Sequence, residues 1–365
     1  MFKKLIIAAN SARGYAQAAV DIGYEVVTLD AFADADTRRI TQQSLKLNMT
    51  AQGVDAASFK QFFSQLNLAE FDGFLYGSLF DAAPDLLEWV SQRIPVIGNG
   101  AAAMRLAKGF AFFQCLESLK INHPEVLLEF PEDSENWLSK QLGGTGGTHI
   151  QVAKYAGKQA DYYQRKIEGT PISLLFVADG NNAQPIGFNQ QLIAPTVEMP
   201  YRFAGAVSSH VVPEAVQVAF ERAAQQLTIH LGLKGLNSLD AIVNAEKVWI
   251  LELNPRLSAT FHLYPCLLSV HIQACAGQLV GLPKMIGASA QLIIYADGSV
   301  EIPADFLWPI GVTDIPSIMP EKGKVTIQPH EPICTVHASA ETSQIAYELV
   351  LQKANQLRTQ LGLGG

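Results

Sequence analysis

Short β-rich runs alternate with amphipathic helical stretches over the first hundred residues, and that alternation leaves few folds open. Residues 4–10 (KLIIAAN) form a β-rich run, residues 11–14 (SARG) break it, and an apolar-periodic stretch leads to Gly23. A second run covers residues 25–29 and ends at Asp30. The unit repeats less sharply, with a helix over 58–66, a strand over 73–76, a helix over 86–94 and a strand over 95–98. Strands separated by helical crossovers lie parallel, because each helix returns the chain to the edge from which the strand began. The pattern predicts a parallel sheet covered by helices, in a first domain ending near residue 100.

Beyond it the pattern changes. Residues 101–121 read as a helix stopped by Pro124. A short β region then runs through Lys140 into a glycine-rich segment and out into a second strand. Strands are predicted over 162–167 and 172–177, a long amphipathic helix over 213–231, and a hairpin of strands 236–243 and 247–253 around Asn244-Ala245-Glu246. The last segment, 286–365, holds short strands, many prolines and a closing helix over 343–361. With 48% apolar and 16% charged residues, the 365-residue chain can bury a core and is not a disordered one. A net charge of −8 without any basic run argues against nucleic-acid or anionic-membrane partners. Cys115, Cys266, Cys275 and Cys334 make no CxxC pair, as expected of reduced thiols in the cytoplasm. The apolar run 5–9 is too short for a signal peptide, and no stretch is long enough to span a membrane.

Two local patterns carry chemistry. Gly143, Gly144, Gly146 and Gly147 let backbone N–H groups wrap a polyphosphate that side chains would keep away, although a flexible hairpin tip has the same composition. Neither standard nucleotide fingerprint fits, since no Lys-Ser or Lys-Thr follows Gly147 and a GxGxxG frame begun at Gly144 ends on His149. The second pattern is the hairpin. Glu252 and Asn254, at i and i+2 on a strand, point to one face, and Asp240 on the preceding strand reaches the same place. Two carboxylates and an amide oxygen suit Mg²⁺. The alternative is a solvated hairpin with ordinary surface polar groups, which fits poorly with Trp249, Ile250, Leu251 and Leu253 around them.

Lys108 on a helix, Lys140 before the glycine loop, residues 164–169, then Asp240 and Glu252-x-Asn254-Pro255-Arg256 stand in the order of the ATP-grasp superfamily, which the chain resembles from end to end. The resemblance implies a mixed α/β and α+β fold. Its parts would be a Rossmann-like domain over 1–100, a small lobe with the glycine loop over 101–160, a large lobe with the Mg²⁺ site over 161–285, and a C-terminal β-rich segment over 286–365. It implies ATP and two Mg²⁺ ions as cofactors, with Mn²⁺ as a substitute. Lys108 and Lys140 would contact the α and β phosphates, and Gly143, Gly144, Thr145, Gly146, Gly147 and Thr148 would close over the triphosphate. Gln164, Arg165 and Ile167 would form the hinge against adenine, Asp240, Glu252 and Asn254 would hold metal, and Arg256 would face the transferring phosphoryl group. Many members hold the ribose with an acid where this chain has Pro171, so Glu168 is the expected substitute. Residues 11–26 (SARGYAQAAVDIGYEV), 32–39 (FADADTRR), 199–205 and 330–336 resemble a branch found in archaea and methylotrophic bacteria beside genes for tetrahydromethanopterin-linked one-carbon metabolism. That likeness implies biosynthesis of a one-carbon carrier cofactor of pterin or furan type, for example by glutamate addition.

Joining a carboxylate to an amine at neutral pH needs a better leaving group than hydroxide, and phosphorylating the carboxylate supplies one. Arg202 is the candidate for holding the substrate carboxylate or acyl phosphate, against a plain surface arginine. Arg13, at the carboxyl end of the first strand, is a candidate for contacting the acceptor. His149 and His262 read as structural, Cys334 as packing, and Asp34 and Asp36 as helix caps. The expectation is a cytoplasmic ATP-dependent carboxylate–amine ligase acting on small molecules through an acyl phosphate, compatible with a homodimer. The alternatives are a non-catalytic nucleotide-binding subunit and a nicotinamide oxidoreductase, the latter weakened by the missing GxGxxG at residues 9–14.

Overall fold

The computed structural model describes residues 3–50, 53–156, 160–318 and 323–363. Strands Gln43–Lys46, Tyr24–Asp30, Lys3–Ala9 and Gly73–Tyr76 lie side by side in that order, all parallel. Period-2 alternation divides their side chains between two cores. Ile6, Ala8, Phe74 and Tyr76 pack on Phe59 and Phe63 of helix Ala56–Ser64 and on Leu86, Leu87 and Val90 of helix Pro84–Ser91. Leu5, Ile7 and Leu75 face the opposite way, onto Tyr15, Ala16 and Ala19 of helix Arg13–Asp21. The strand expected at 95–98 is a single parallel bridge between Phe74 and Val96.

The helix expected over 101–121 is two helices, Ala101–Lys108 and Ala111–Ser118. Gly109 causes the break: its ψ of 169° is extended, and a Cβ there would stand 2.7 Å from the Arg105 carbonyl oxygen. Lys108 is therefore the last residue of its helix. A small antiparallel sheet follows in the order Val126–Leu127, Tyr162–Arg165, Trp137–Lys140, Gln151–Val152, and the glycine-rich segment connects the last two strands.

An eight-stranded antiparallel sheet forms the rest of the frame. Strands Lys247–Asn254, Lys234–Asn244, Thr170–Asp179, Ala183–Ile193 and Phe203–Val207 are continued by Ala288–Tyr295, Pro332–Ala340 and Val312–Thr313. The C-terminal segment thus extends the large sheet. Ile172, Leu174 and Phe176 meet helix Glu214–Leu231 on one face, while Leu175 and Val177 meet helix Leu267–Cys275 and the N-terminal helix on the other. Cys334 is buried in this sheet among apolar side chains.

The hairpin pairs Asp240 with Glu252 and Ser238 with Asn254, and a bulge between Asp240 and Ala241 leaves Leu251 unopposed. Leu239, Ala241, Val248, Ile250 and Leu253 enter the core under the long helix. Val248 and Ile250 are even-numbered, as is Glu252. Without the extra residue the Glu252 side chain would have followed them inward. The bulge turns it to the opposite face with Asn254.

Candidate active site

Asp240, Glu252 and Asn254 meet two further elements. Helix Ala101–Lys108 brings the Lys108 ammonium into contact with Glu252, 2.6 Å from Asn254 Oδ1 and 3.2 Å from Asp81 Oδ2. Asp81 follows the parallel strand Gly73–Tyr76 and is wholly buried in its side chain. Arg256 lies just past the hairpin. Its Nε and Nη2 donate to the two Asp81 oxygens at 3.1 and 2.7 Å, and Nη2 also donates to Asn254 Oδ1 at 2.8 Å. Asn254 Nδ2 closes the set on Asp240 at 3.1 Å.

The electrostatics follow from burial and these partners. Burial opposes ionisation of Asp81 and Glu252, yet Arg256 and Lys108 hold Asp81, and Lys108 holds Glu252, below the usual carboxylate range. Asp240 is pushed up to about 6, by burial first and by the Glu252 charge second. Lys140, at the end of its strand, donates to Gln164 Oε1 at 2.6 Å, and burial lowers it to about 8. His149 is lowered to about 4 by burial, and its Nδ1, like Gln164 Nε2, is buried without a partner.

A cavity of about 40 Å³ is bounded by Lys108, Lys140, Gly143, Gly144, His149 and Glu252. The glycine loop is folded down over it. Gly143 has φ +69°, and a Cβ there would stand 2.6 Å from Ala82 Cα; Gly147, also φ +69°, would put one 2.0 Å from the Tyr201 carbonyl oxygen. Phe203 N donates to Gly146 O at 2.8 Å, and Gln151 Nε2 donates to Glu198 O at 2.9 Å. Thr145 and Thr148 contact one another at the loop's outer side, Thr148 Oγ1 lying 3.4 Å from Thr145 O.

Several expected residues lie elsewhere. The Lys108 ammonium is committed to the carboxylates and not free to reach a distant phosphate. Arg165 pairs with Asp133 at 2.7 Å and Glu168 with Lys166 at 2.7 Å, so of the hinge only Gln164 reaches Lys140. Ile167 is half-buried between them. Arg202 is 5% exposed, not a surface arginine; it stacks 3.9 Å over the Tyr295 ring and donates to the carbonyls of Ala194 and His330. None of these contacts joins it to the Asp81 cluster. Arg13 pairs with Asp314 at 2.9 Å and lies 3.7 Å from Asp36, so its charge is already matched. Asp34 occupies the cap position of helix Ala35–Ile40 without capping it, and Asp36 accepts from the backbone of Asp314 and Ile315 instead. Asp81 had no motif to mark it; its place after a parallel strand, where open α/β sheets present their crevice, is the one available signal.

Three sheets arranged in this way, with a glycine loop closed over lysines and a carboxylate hairpin, define an ATP-grasp architecture. Residues 107–260 match the model of the ATP-grasp domain. The fold as a whole is similar to solved structures. Rhizobium etli pyruvate carboxylase shares 13% identity at a TM-score of 0.73 over 97% of this chain, which spans 37% of that longer protein. The biotin carboxylase domain of Hydrogenobacter thermophilus 2-oxoglutarate carboxylase, solved with MgADP, ADP and bicarbonate, shares 12% at 0.73, covering 96% of this chain and 88% of its own. Phosphoribosylamine–glycine ligase from Thermotoga maritima shares 14% at 0.69, covering 96% of each. A search of curated proteins returns no match. Among the described residues no helix is long and apolar enough to cross a membrane.

Proposed function

We propose that the protein is an ATP- and Mg²⁺-dependent ligase that joins a carboxylate to an amine through an acyl phosphate. The observation that carries the reading is the convergence of Asp240, Glu252, Asn254, Lys108 and Arg256 beneath a glycine loop. The donor set fits Mg²⁺. Its oxygens already hold one cation, the Lys108 ammonium, and Mg²⁺ takes one or two carboxylates plus phosphate oxygens more readily than an all-protein cage. When bound, Mg²⁺ neutralises charge developing between the β and γ phosphates.

The chain's residues then divide the work. Lys140, held by Gln164, supplies positive charge beneath the loop, and Gln164 Nε2 and His149 Nδ1 are free to meet nucleotide atoms. Asp81 grips Arg256 through both oxygens and keeps its guanidinium over the hairpin, where charge builds on the terminal phosphoryl group. The loop excludes water, which an acyl phosphate would not survive. A cavity of about 40 Å³ is far smaller than a ligand pocket of roughly 300 Å³ or more, so the loop must lift for a nucleotide to enter. Arg202 spends Nε and one Nη1 donor on the carbonyls of Ala194 and His330, which leaves its Nη2 donors for a substrate carboxylate or acyl phosphate.

The balance of atoms gives the test. One carboxylate oxygen attacks the γ phosphorus and ADP departs; the amine nitrogen then bonds to the acyl carbon, sheds a proton, and releases phosphate carrying that oxygen. A screen of acid and amine pairs, glutamate with pterin or furan cofactor precursors among them, should release ADP, and an ¹⁸O-labelled acid should deliver label to inorganic phosphate. Label in AMP would overturn the route, and MgATP binding without ADP release from any pair would leave a nucleotide-binding subunit. The gene association of the similar branch supports cofactor biosynthesis as the setting.

A further inference from the structure

The amide oxygen of Asn254 is fully spent. It accepts from Lys108 Nζ at 2.6 Å and from Arg256 Nη2 at 2.8 Å, and a carbonyl oxygen has two lone pairs. Asn254 Nδ2 donates to Asp240 at 3.1 Å, so the amide cannot turn over without facing donor to donor. Glu252 is held by the same Lys108 ammonium. Two of the three side chains that fit Mg²⁺ therefore already carry a cation, and a metal ion can take the Asn254 oxygen only when one of its two donors leaves.

The two donors are not held alike. Arg256 grips both oxygens of Asp81, at 3.1 and 2.7 Å, and its Nη1 donates to the Leu257 carbonyl at 3.3 Å. Lys108 reaches Asp81 at 3.2 Å, on the Oδ2 that Arg256 Nη2 also holds. Asp81 thus keeps a two-pronged partner when Lys108 departs, and would lose it if Arg256 did. An ammonium on a flexible four-carbon stem is also the easier of the two to move, since the planar guanidinium is fixed by its fork of donors. Lys108 has a place to go. Its side chain bounds the cavity beneath the glycine loop together with Lys140, where the proposed site would hold phosphates.

We infer that Lys108 is a counter-ion switch: its ammonium occupies the oxygens of Glu252 and Asn254 in the place of a divalent cation, and yields them when nucleotide phosphates draw it off the hairpin. The inference deepens the ligase reading and rests on its Mg²⁺–nucleotide site. An ammonium and a divalent ion sharing these oxygens would stand a few ångströms apart in a poorly solvated place, where like charges repel strongly. The protein by itself is a weak competitor for its own lysine, because among the described residues no three His, Cys, Asp or Glu side chains converge as a metal cage would. Phosphates resolve the conflict from both sides. They pair with the displaced ammonium, and they supply the oxygens that Mg²⁺ takes in addition to one or two carboxylates. Metal and nucleotide are thereby coupled, each raising the affinity for the other.

The test reads binding rather than turnover, on the full chain, with Mn²⁺ as a paramagnetic substitute for Mg²⁺ and no nucleotide present. Lys108→Met, which keeps the stem and removes the charge, should bind Mn²⁺ about tenfold or more tightly than the wild type, equivalent to about 1.4 kcal/mol, measured by loss of the free-ion electron paramagnetic signal. Adding Glu252→Gln to that variant should abolish the gain, which places the ion on the hairpin. Saturating ADP should raise the Mn²⁺ affinity of the wild type far more than that of Lys108→Met. Lys108→Gln, neutral and able to hydrogen-bond to Glu252, serves if the first variant fails to fold. Equal Mn²⁺ affinities in the wild type and the neutral variant, a gain that survives Glu252→Gln, or an ADP effect of the same size in both proteins would each overturn the switch. Failure of the two readings separates cleanly. The expected Mn²⁺ results without ADP release from any acid and amine pair remove the ligase and keep the switch; ADP release with equal Mn²⁺ affinities does the reverse.

Discussion

Asp81 is the residue on which the proposed nucleotide site turns, because its buried carboxylate answers both Arg256 and Lys108. Arg256→Ala would leave that charge short of its bidentate partner in a buried place. Breaking such a pair costs about 3 to 5 kcal/mol, so this variant should lose stability in denaturant titration as well as turnover. Arg256→Lys, which keeps the charge, should recover part of the stability but not the two-pronged contact. An Arg256→Ala protein as stable as the wild type would remove Asp81 from this role. Asp34 gives the opposite prediction. Burial, reinforced by Asp314, raises its carboxyl from 3.8 to about 8 in the folded state, so the folded protein binds its proton more tightly than the unfolded chain. The stability this contributes is present below about pH 4 and is lost as pH rises toward 8. Asp34→Asn should therefore gain stability relative to wild type across that window, and a pH-independent difference between their unfolding midpoints would refute it.

At the scale of elements, the glycine loop depends on some of its glycines much more than on others. Gly146 has φ +64° with open space around it, so Gly146→Ala carries only the left-handed backbone cost of about 1 to 2 kcal/mol. Gly147 has a similar φ, but a Cβ would drive into the Tyr201 carbonyl oxygen, so Gly147→Ala cannot seat the loop at all. ADP-release rates should fall far more in Gly147→Ala than in Gly146→Ala; equal losses would mean that loop seating is not the requirement. The hairpin shows how much of an element can be read locally. The i, i+2 relation of Glu252 and Asn254 is visible in the sequence, as is the turn at 244–246. The bulge at Leu251, which aims Glu252 outward while Val248 and Ile250 face the core, is not, because it is set by pairing with strand Lys234–Asn244 and by what packs beneath. The break at Gly109 escaped for a similar reason: a single glycine in an apolar-periodic stretch is compatible with a continuous helix.

Across the whole molecule, Asn99 ties the parallel-sheet domain to the large sheet. Its Nδ2 donates to Asn237 Oδ1 at 2.8 Å, Lys234 O at 3.0 Å and Pro255 O at 3.1 Å, while its Oδ1 accepts from Lys234 N at 2.8 Å. Tyr76 Oη adds a bond to Asn99 O at 2.7 Å. Asn99→Ala strands several buried polar groups at the junction that holds Asp81 over the hairpin, at about 1 to 3 kcal/mol each before relaxation. Calorimetry should show a lowered midpoint and a transition resolved into two; a single unshifted transition would show that the apolar contacts suffice. What the sequence determined by itself was the local order: strands and helices from their periodicity, the glycine loop, the shared face of Glu252 and Asn254, and the likeness that implied the fold. Tertiary structure alone decided which charges meet. It paired Arg256 with Asp81 across 175 positions and Arg13 with Asp314 across 301, and turned Lys108 onto the hairpin. The reason is physical: periodicity and turn chemistry act over a few residues, whereas a buried charge takes its partner from whatever register and packing bring within about 3 Å.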